Sequence, residues 1–147
     1  MKLVLPAERP VLEKLGPDGF LVPHPAFARF PLLFGREKEA VVEVIHGGDW
    51  YAGERYAGPR TFDPPAEWRA YAGHYRNENP WEGSLRVVLS KGRLSIGGGD
   101  PLVPLGDGVF RPGEEEHAPD RIRFAYVVNG RALRAFVSGT EFTRIET

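Results

Sequence analysis

Short runs of apolar and alternating residues recur along the chain, separated by glycine, proline and other turn-forming residues. The runs are Leu3–Leu5, Val11–Leu15, Phe20–Val22, Arg29–Phe34, Ala40–Ile45, Tyr71–Asn77, Leu85–Leu89, Arg93–Ile96, Leu102–Leu105, Arg121–Val128, Arg131–Val137 and Glu141–Ile145. Many contain β-branched or aromatic residues, and a spacing of about ten residues between short strands is typical of an antiparallel barrel or sandwich. The pattern therefore predicts an all-β fold.

Two dipeptides between these runs predict hairpin turns. Lys91-Gly92 separates two short runs, and Asn129-Gly130 separates two longer ones. Asn-Gly favours a type I′ turn, because both central residues of that turn have positive φ.

One segment has the signals of a short helix. Asp63 is placed to cap it, Pro64 suits the first helical position, and Gly73 ends it after one or two turns. The preceding Ala57-Gly58-Pro59-Arg60 has the composition of a linker.

An internal repeat is visible when Leu3 through Tyr51 is aligned with Leu94 through Phe142, at an offset of 90 or 91 residues. The matched residues are Leu3 with Leu94, Pro10 with Pro101, Leu15-Gly16 with Leu105-Gly106, Phe20 with Phe110, Phe34 with Phe124, Gly48 with Gly139, and Tyr51 with Phe142. Self-similarity of this kind indicates two related structural units.

The repeat predicts the domain organisation. We expect a partial β-barrel unit at residues 1–58, a linker with the short helix at 59–70, and an eight-stranded lipocalin-like barrel at 71–147. The first unit has no counterpart of Tyr71–Asn77 or Leu85–Leu89. Leu3–Leu5 or Val11–Leu15 is therefore expected to expose an unpaired strand edge, which a partner strand would cover.

Composition excludes several classes of protein. Hydrophobic residues make up 41% and charged residues 27%, which fits a soluble globular chain. The 19 basic and 20 acidic residues leave a net charge of −1, so we expect no nucleic-acid partner. No apolar run suits a membrane helix and the N-terminus is not a signal peptide, so cytoplasmic is the default location. Absence of cysteine excludes disulfides and cysteine nucleophiles.

No metal, cofactor or acid–base pair is predicted. The histidines His24, His46, His74 and His117 lack the close spacing of zinc ligands. Asp49, Asp100 and Asp107 lie beside glycines, where aspartate caps turns. The glycine run before Asp100 is not followed by the Lys-Ser/Thr of a phosphate loop.

Aromatic residues are the most suggestive candidates for a ligand site or an interface. The set is Trp50, Tyr51, Trp68, Tyr71, Tyr75 and Trp81. Such rings could line a barrel mouth and hold an apolar or sugar-like ligand. The favoured interpretation is that they plug the barrel ends and the seam between units, since eight strands leave an interior that side chains can fill.

An ordered series of short motifs resembles one known family. The series is Tyr71-Ala-Gly-His-Tyr-Arg-Asn77, Pro80-Trp81, Lys91-Gly-Arg-Leu94, Pro101-Leu-Val-Pro-Leu-Gly106, Gly108-Val-Phe-Arg111, Arg121-Ile-Arg-Phe124, Asn129-Gly130 and Phe142-Thr-Arg144. It resembles the lipocalin-like β-barrel domains that follow the catalytic domain in many serine hydrolases of the β-lactamase, penicillin-binding and D-aminopeptidase superfamily. In that family these domains frame the active-site entrance or mediate oligomerisation.

The catalytic motif of that superfamily is absent. Its nucleophile lies in Ser-x-x-Lys, where the lysine helps to deprotonate the serine. The serines here are Ser84, Ser90, Ser95 and Ser138, and Val87, Arg93, Gly98 and Glu141 follow them by three positions. The chain is therefore interpreted as a non-catalytic accessory domain, with a homodimer or an upstream hydrolase domain as partner. The alternative is a free-standing lipocalin-like binder of a small apolar ligand.

Overall fold

A computed structural model describes residues 11–97 and 99–145. The chain divides into two compact units, Met1–Gly58 and Pro59–Thr147. The predicted strand Leu3–Leu5 lies outside the described residues.

The first unit is a five-stranded antiparallel sheet. Its strands are β1 (Glu13–Lys14), β2 (Gly19–Leu21), β3 (Leu32–Glu37), β4 (Ala40–His46) and β5 (Asp49–Ala52). They lie in the sheet in chain order, each hydrogen-bonded to the next. Within the described residues, β1 and β5 are therefore the edge strands of this sheet.

The second unit is a nearly closed, barrel-like antiparallel sheet of eight strands. They are β6 (Gly73–Arg76), β7 (Ser84–Ser90), β8 (Arg93–Ile96), β9 (Leu102–Gly106), β10 (Val109–Pro112), β11 (Ile122–Val128), β12 (Arg131–Val137) and β13 (Thr140–Ile145). The order is β8-β7-β6-β13-β12-β11-β10-β9. A single bridge between Ser95 and Pro101 joins its two ends. The all-β prediction is confirmed, and so is an eight-stranded sheet in the second half of the chain.

Alternating side chains fill the interior of this sheet. In β11, Ile122 and Phe124 are buried while Arg123 between them is exposed. The buried residues of the cluster are Ala70, Tyr71, Tyr75, Leu85, Val87, Leu94, Leu102, Phe110, Ile122, Phe124, Ala132, Ala135 and Phe142. Because large side chains from all parts of the sheet meet there, the interior is a packed core.

The predicted hairpin turns are confirmed by their backbone angles. Asn129 and Gly130 have φ of 50° and 71°, as a type I′ turn requires. Lys91 and Gly92, which join β7 to β8, have φ of 52° and 71°, so the central residues of this turn also have positive φ.

The helix has one turn, within the predicted one or two, but its predicted start at Asp63 is wrong. Helix α1 covers Trp68–Tyr71, and Ala72 after it is extended. Each residue before a proline is sterically biased away from the helical region. Asp63 and Pro64 both precede prolines, so the helix begins only after Pro65.

No helix in the described part of the chain has the length and apolar content to cross a membrane.

Two predicted strands are also shortened. The run Arg29–Phe34 becomes a strand only from Leu32, because Pro31 has no N–H to donate to a ladder. Of Val11–Leu15, only Glu13–Lys14 pairs, and the side chain of Val11 is 84% exposed.

The strand pairings of the first unit recur in the second. Lys14 pairs with Phe20 and Phe20 with Leu32, and the corresponding pairs are Pro104 with Phe110 and Phe110 with Ile122. Val44 pairs with Tyr51, as Ala135 pairs with Phe142. The five strands β1–β5 thus have the same order and the same register as β9–β13.

Candidate functional site

Tyr75 occupies the centre of the second unit. It lies on β6, its side chain is 0% exposed, and its hydroxyl donates a 2.6 Å hydrogen bond to the backbone oxygen of Tyr71. The same hydroxyl accepts a 2.8 Å hydrogen bond from Nη2 of Arg144. A buried phenol is therefore satisfied both as a donor and as an acceptor.

Arg144 joins four parts of the fold through one guanidinium. Its Nε donates to the backbone oxygen of Ala132 at 2.6 Å, and Nη2 donates to those of Ala70 and Ala72 at 2.8 and 3.0 Å. The guanidinium carbon also lies 4.9 Å from the centre of the Tyr75 ring. Ala70 and Ala72 are at the C-terminal end of α1, where carbonyl groups lack helical partners and a cation is favourable.

Gly73 makes room for this arrangement. A Cβ atom at residue 73 would collide with Nη1 of Arg144. A side chain at residue 73 would therefore displace the Arg144 guanidinium from its present position.

Burial raises the pKa of Tyr75, and the charge and hydrogen bond of Arg144 offset part of this rise. The resulting pKa is about 12. The phenol is therefore neutral at physiological pH and serves as a hydrogen-bonding link within the core.

Three of the predicted aromatic residues come together in this core. Tyr71 stacks on Phe124 with ring centres 4.6 Å apart, and Trp68 meets Phe110 edge to face at 5.8 Å. Tyr75 also packs on Phe124, at 5.9 Å. Contacts of this kind favour a rigid packed interior over an open ligand chamber.

The other aromatic candidates are placed differently. Trp50 and Tyr51 belong to β5 of the first unit, where Nε1 of Trp50 donates to Oε2 of Glu43 at 2.7 Å. Trp81 lies in the loop between β6 and β7, and its side chain is 95% exposed. The structure thus brings together Trp68, Tyr71 and Tyr75, and leaves Trp81 outside that cluster.

The first unit has a cavity of its own, of about 390 Å³, on one face of its sheet. Its lining consists of Phe27, Leu32, Phe34, Val44, His46, Asp49 and Tyr51. His46 ends β4, and its Nε2 lies 3.1 Å from the backbone oxygen of Phe27. The lining is mainly apolar, and Tyr51 is the predicted aromatic residue that reaches it.

Two of the serines, Ser138 and Ser90, differ in their hydrogen bonds in the described part of the chain. The hydroxyl of Ser138 donates to Oδ1 of Asp120 at 2.8 Å and accepts from the amide of Arg121, which fixes a loop. The buried hydroxyl of Ser90 has no hydrogen-bond partner there. A serine nucleophile needs an adjacent base within hydrogen-bond reach, and the buried hydroxyl of Ser90 has none in the described part of the chain.

No group of three or more histidine, aspartate or glutamate side chains within residues 11–97 and 99–145 is arranged to hold a metal ion.

Arg144 is the residue of this site that the sequence interpretation missed. It lies two positions after Phe142 on β13, so strand alternation places both side chains on the same face. Because Phe142 is buried, strand alternation turns Arg144 toward the same interior.

No family model, curated protein or solved structure matches the chain.

Proposed function

We propose that this chain is a non-catalytic, lipocalin-like accessory module that works with a β-lactamase-like serine hydrolase, either framing its active-site entrance or mediating oligomerisation. The observation that carries the proposal is the filled interior of the second unit. Tyr75, Phe110, Leu94 and Ile122 are all fully buried there. A core packed in this way holds its shape without a ligand, as a scaffold must.

The hydrogen bonds of Arg144 support the same role. This side chain ties the end of α1 to β12 and to Tyr75. Its bonds to backbone carbonyls fix one end of the barrel, which favours a rigid surface for a partner over a chamber that opens.

We also propose that the two units are diverged copies of one lipocalin-like unit. The support is the common register of β1–β5 and β9–β13, together with the sequence matches of Phe20 to Phe110 and Tyr51 to Phe142. Register is fixed by which side chains face the core, so five strands sharing it favour common ancestry over chance.

A homodimer is the proposed assembly in the absence of a hydrolase partner. Among the described residues of the first unit, no strand corresponds to β6, the strand that pairs with β13 in the second unit. An unpaired strand edge pairs readily with another strand, and two copies can do so through one symmetric contact.

The test uses a Ser-x-x-Lys hydrolase encoded beside or in frame with this chain. We expect this chain alone to give no turnover of nitrocefin or p-nitrophenyl esters. Removing it from the hydrolase should change the kcat/KM or the sedimentation of the hydrolase. If the hydrolase neither binds the chain at micromolar concentration nor changes in activity, the accessory role is wrong.

A second candidate function, binding of a small apolar ligand, is favoured by the cavity of the first unit. Leu32 and Phe34 line that cavity, whereas Leu33 between them does not. Binding of the uncharged fluorophore N-phenylnaphthylamine should therefore weaken in Leu32→Gln and persist in Leu33→Gln, its matched control. Equal binding by both variants, or none by the native chain, would rule out this candidate.

A further inference from the structure

Two adjoining cavities open at the end of the second unit where the turn between β11 and β12 lies. One has a volume of about 520 Å³ and is lined by Arg69, Ala72, Gly73, His74, Gly130, Arg131, Arg144 and Ile145. The other, of about 470 Å³, is lined by Val128, Asn129, Arg131, Leu133 and Arg144. Arg131 and Arg144 belong to both linings, so the two cavities lie next to each other.

The larger cavity is strongly basic. Arg69, Arg131 and Arg144 contribute three guanidinium groups, and His74 adds an imidazole. Among the described residues that line it, none is an aspartate or a glutamate. A cavity walled by one sign of charge attracts and concentrates ions of the opposite sign.

Four hydrogen bonds hold the guanidinium of Arg144 in one orientation. Its four hydrogen bonds go to three backbone carbonyls and one phenol, all of them neutral. Within the described residues it forms no ion pair with a carboxylate, so its positive charge is oriented but not neutralised. A guanidinium fixed in this way binds carboxylate and phosphate oxygens without first having to be ordered.

The smaller cavity adds an apolar wall. The side chains of Val128 and Leu133 are 50% and 38% exposed, although both are aliphatic. They adjoin the shared Arg131 and Arg144. A ligand that fits both cavities therefore has an acidic group at one end and an apolar group at the other.

We infer that this end of the second unit binds a small organic oxyanion, with its carboxylate or phosphate between Arg69, Arg131 and Arg144 and its apolar part against Val128 and Leu133. The inference goes beyond the proposed accessory role and does not depend on it, because it concerns one unit of this chain and no hydrolase.

The test is an amide NMR titration of the full chain with benzoate and phenyl phosphate, and with benzyl alcohol as the uncharged counterpart. We expect saturable shifts at Gly73, Gly130 and Arg131 with an anion, and much smaller shifts with the alcohol. The variants Arg69→Gln and Arg131→Gln each lose one charged hydrogen-bond donor. Each should therefore bind the anion roughly tenfold more weakly than the native chain.

Arg123→Gln is the matched control. It removes one positive charge from the same β11–β12 hairpin, but Arg123 packs on the Phe136 ring and lines neither cavity. Anion binding should be unchanged in this variant. Equal weakening by all three variants would mean general charge attraction and would overturn the site, as would an absence of saturable shifts or equal binding of benzyl alcohol. A preference for benzoate or for phenyl phosphate identifies the acidic group.

Discussion

At the scale of single residues, the stability of the second unit depends on a neutral Tyr75. Its hydroxyl is buried and bonded to Tyr71 and Arg144, and its pKa is raised to about 12. An unfolded chain loses this proton near the ordinary tyrosine pKa of about 10, whereas the folded chain keeps it. Above that pH the folded state binds more protons, so the free energy of unfolding must fall as the pH rises.

We therefore expect Tyr75 to contribute a loss of about 2 to 3 kcal/mol in the free energy of unfolding between pH 10 and pH 12. Urea denaturation at several pH values measures it. Tyr75→Phe keeps the ring and removes the ionisable group, so its stability should fall less over the same interval. Parallel curves for the two proteins would show that Tyr75 is not the group responsible.

Gly130 gives a second prediction at this scale. Its φ is 71°, and a Cβ there would meet no atom within 4 Å, so only backbone strain opposes a larger residue. Gly130→Val should lower the free energy of unfolding by about 1 to 3 kcal/mol, because β-branched residues are strained at positive φ. Gly130→Asn is the control and should lose much less, since asparagine tolerates this conformation. Equal denaturation midpoints for both variants and the native chain would contradict the explanation.

At the scale of elements, Arg144 couples α1 and β12 to the barrel core. Replacing it by methionine leaves carbonyl groups of Ala70, Ala72 and Ala132 without this donor. We expect Arg144→Met to destabilise the chain by about 2 to 4 kcal/mol. Arg144→Lys should not restore stability, because one ammonium group cannot reproduce the planar array of donors.

A neighbouring arginine supplies the control for that experiment. Arg134 on β12 pairs with Glu141 at 2.6 Å, and its side chain is 35% exposed. Surface pairs of this kind contribute at most about 1 kcal/mol, so Arg134→Met should have a small effect in the same denaturation measurement. If the two variants lose the same stability, Arg144 has no special role in joining the elements.

The positions of most strands along the chain could be predicted from the sequence, but several of their ends could not. Turn chemistry located the hairpin at Asn129-Gly130, and alternation located β11 and β12 on either side of it. The predicted start of α1 was wrong. Each proline disfavours helical angles in the residue before it, and this effect outweighed the capping signal of Asp63. The guanidinium network of Arg144 depends on contacts between residues distant in sequence, which no local pattern encodes.

At the scale of the whole molecule, the assembly state is a further prediction. Within the described residues, β1 and β5 each pair on one side only. We expect sedimentation equilibrium to give the mass of a homodimer at micromolar concentration, through an edge-to-edge or strand-exchanged contact. A monomer mass at every concentration, with slow amide exchange along β1, would show that this edge is covered within one chain.

Covalent labelling of its serines is a direct test of the proposal that the chain is a packed, non-catalytic scaffold. The purified chain is incubated with a fluorophosphonate and with a fluorescent penicillin, and its intact mass is then measured. We expect an unmodified mass, while a Ser-x-x-Lys hydrolase in the same tube is labelled. A stoichiometric adduct on Ser84, Ser90, Ser95 or Ser138 that disappears when that serine is replaced by alanine would show that the chain has a reactive nucleophile.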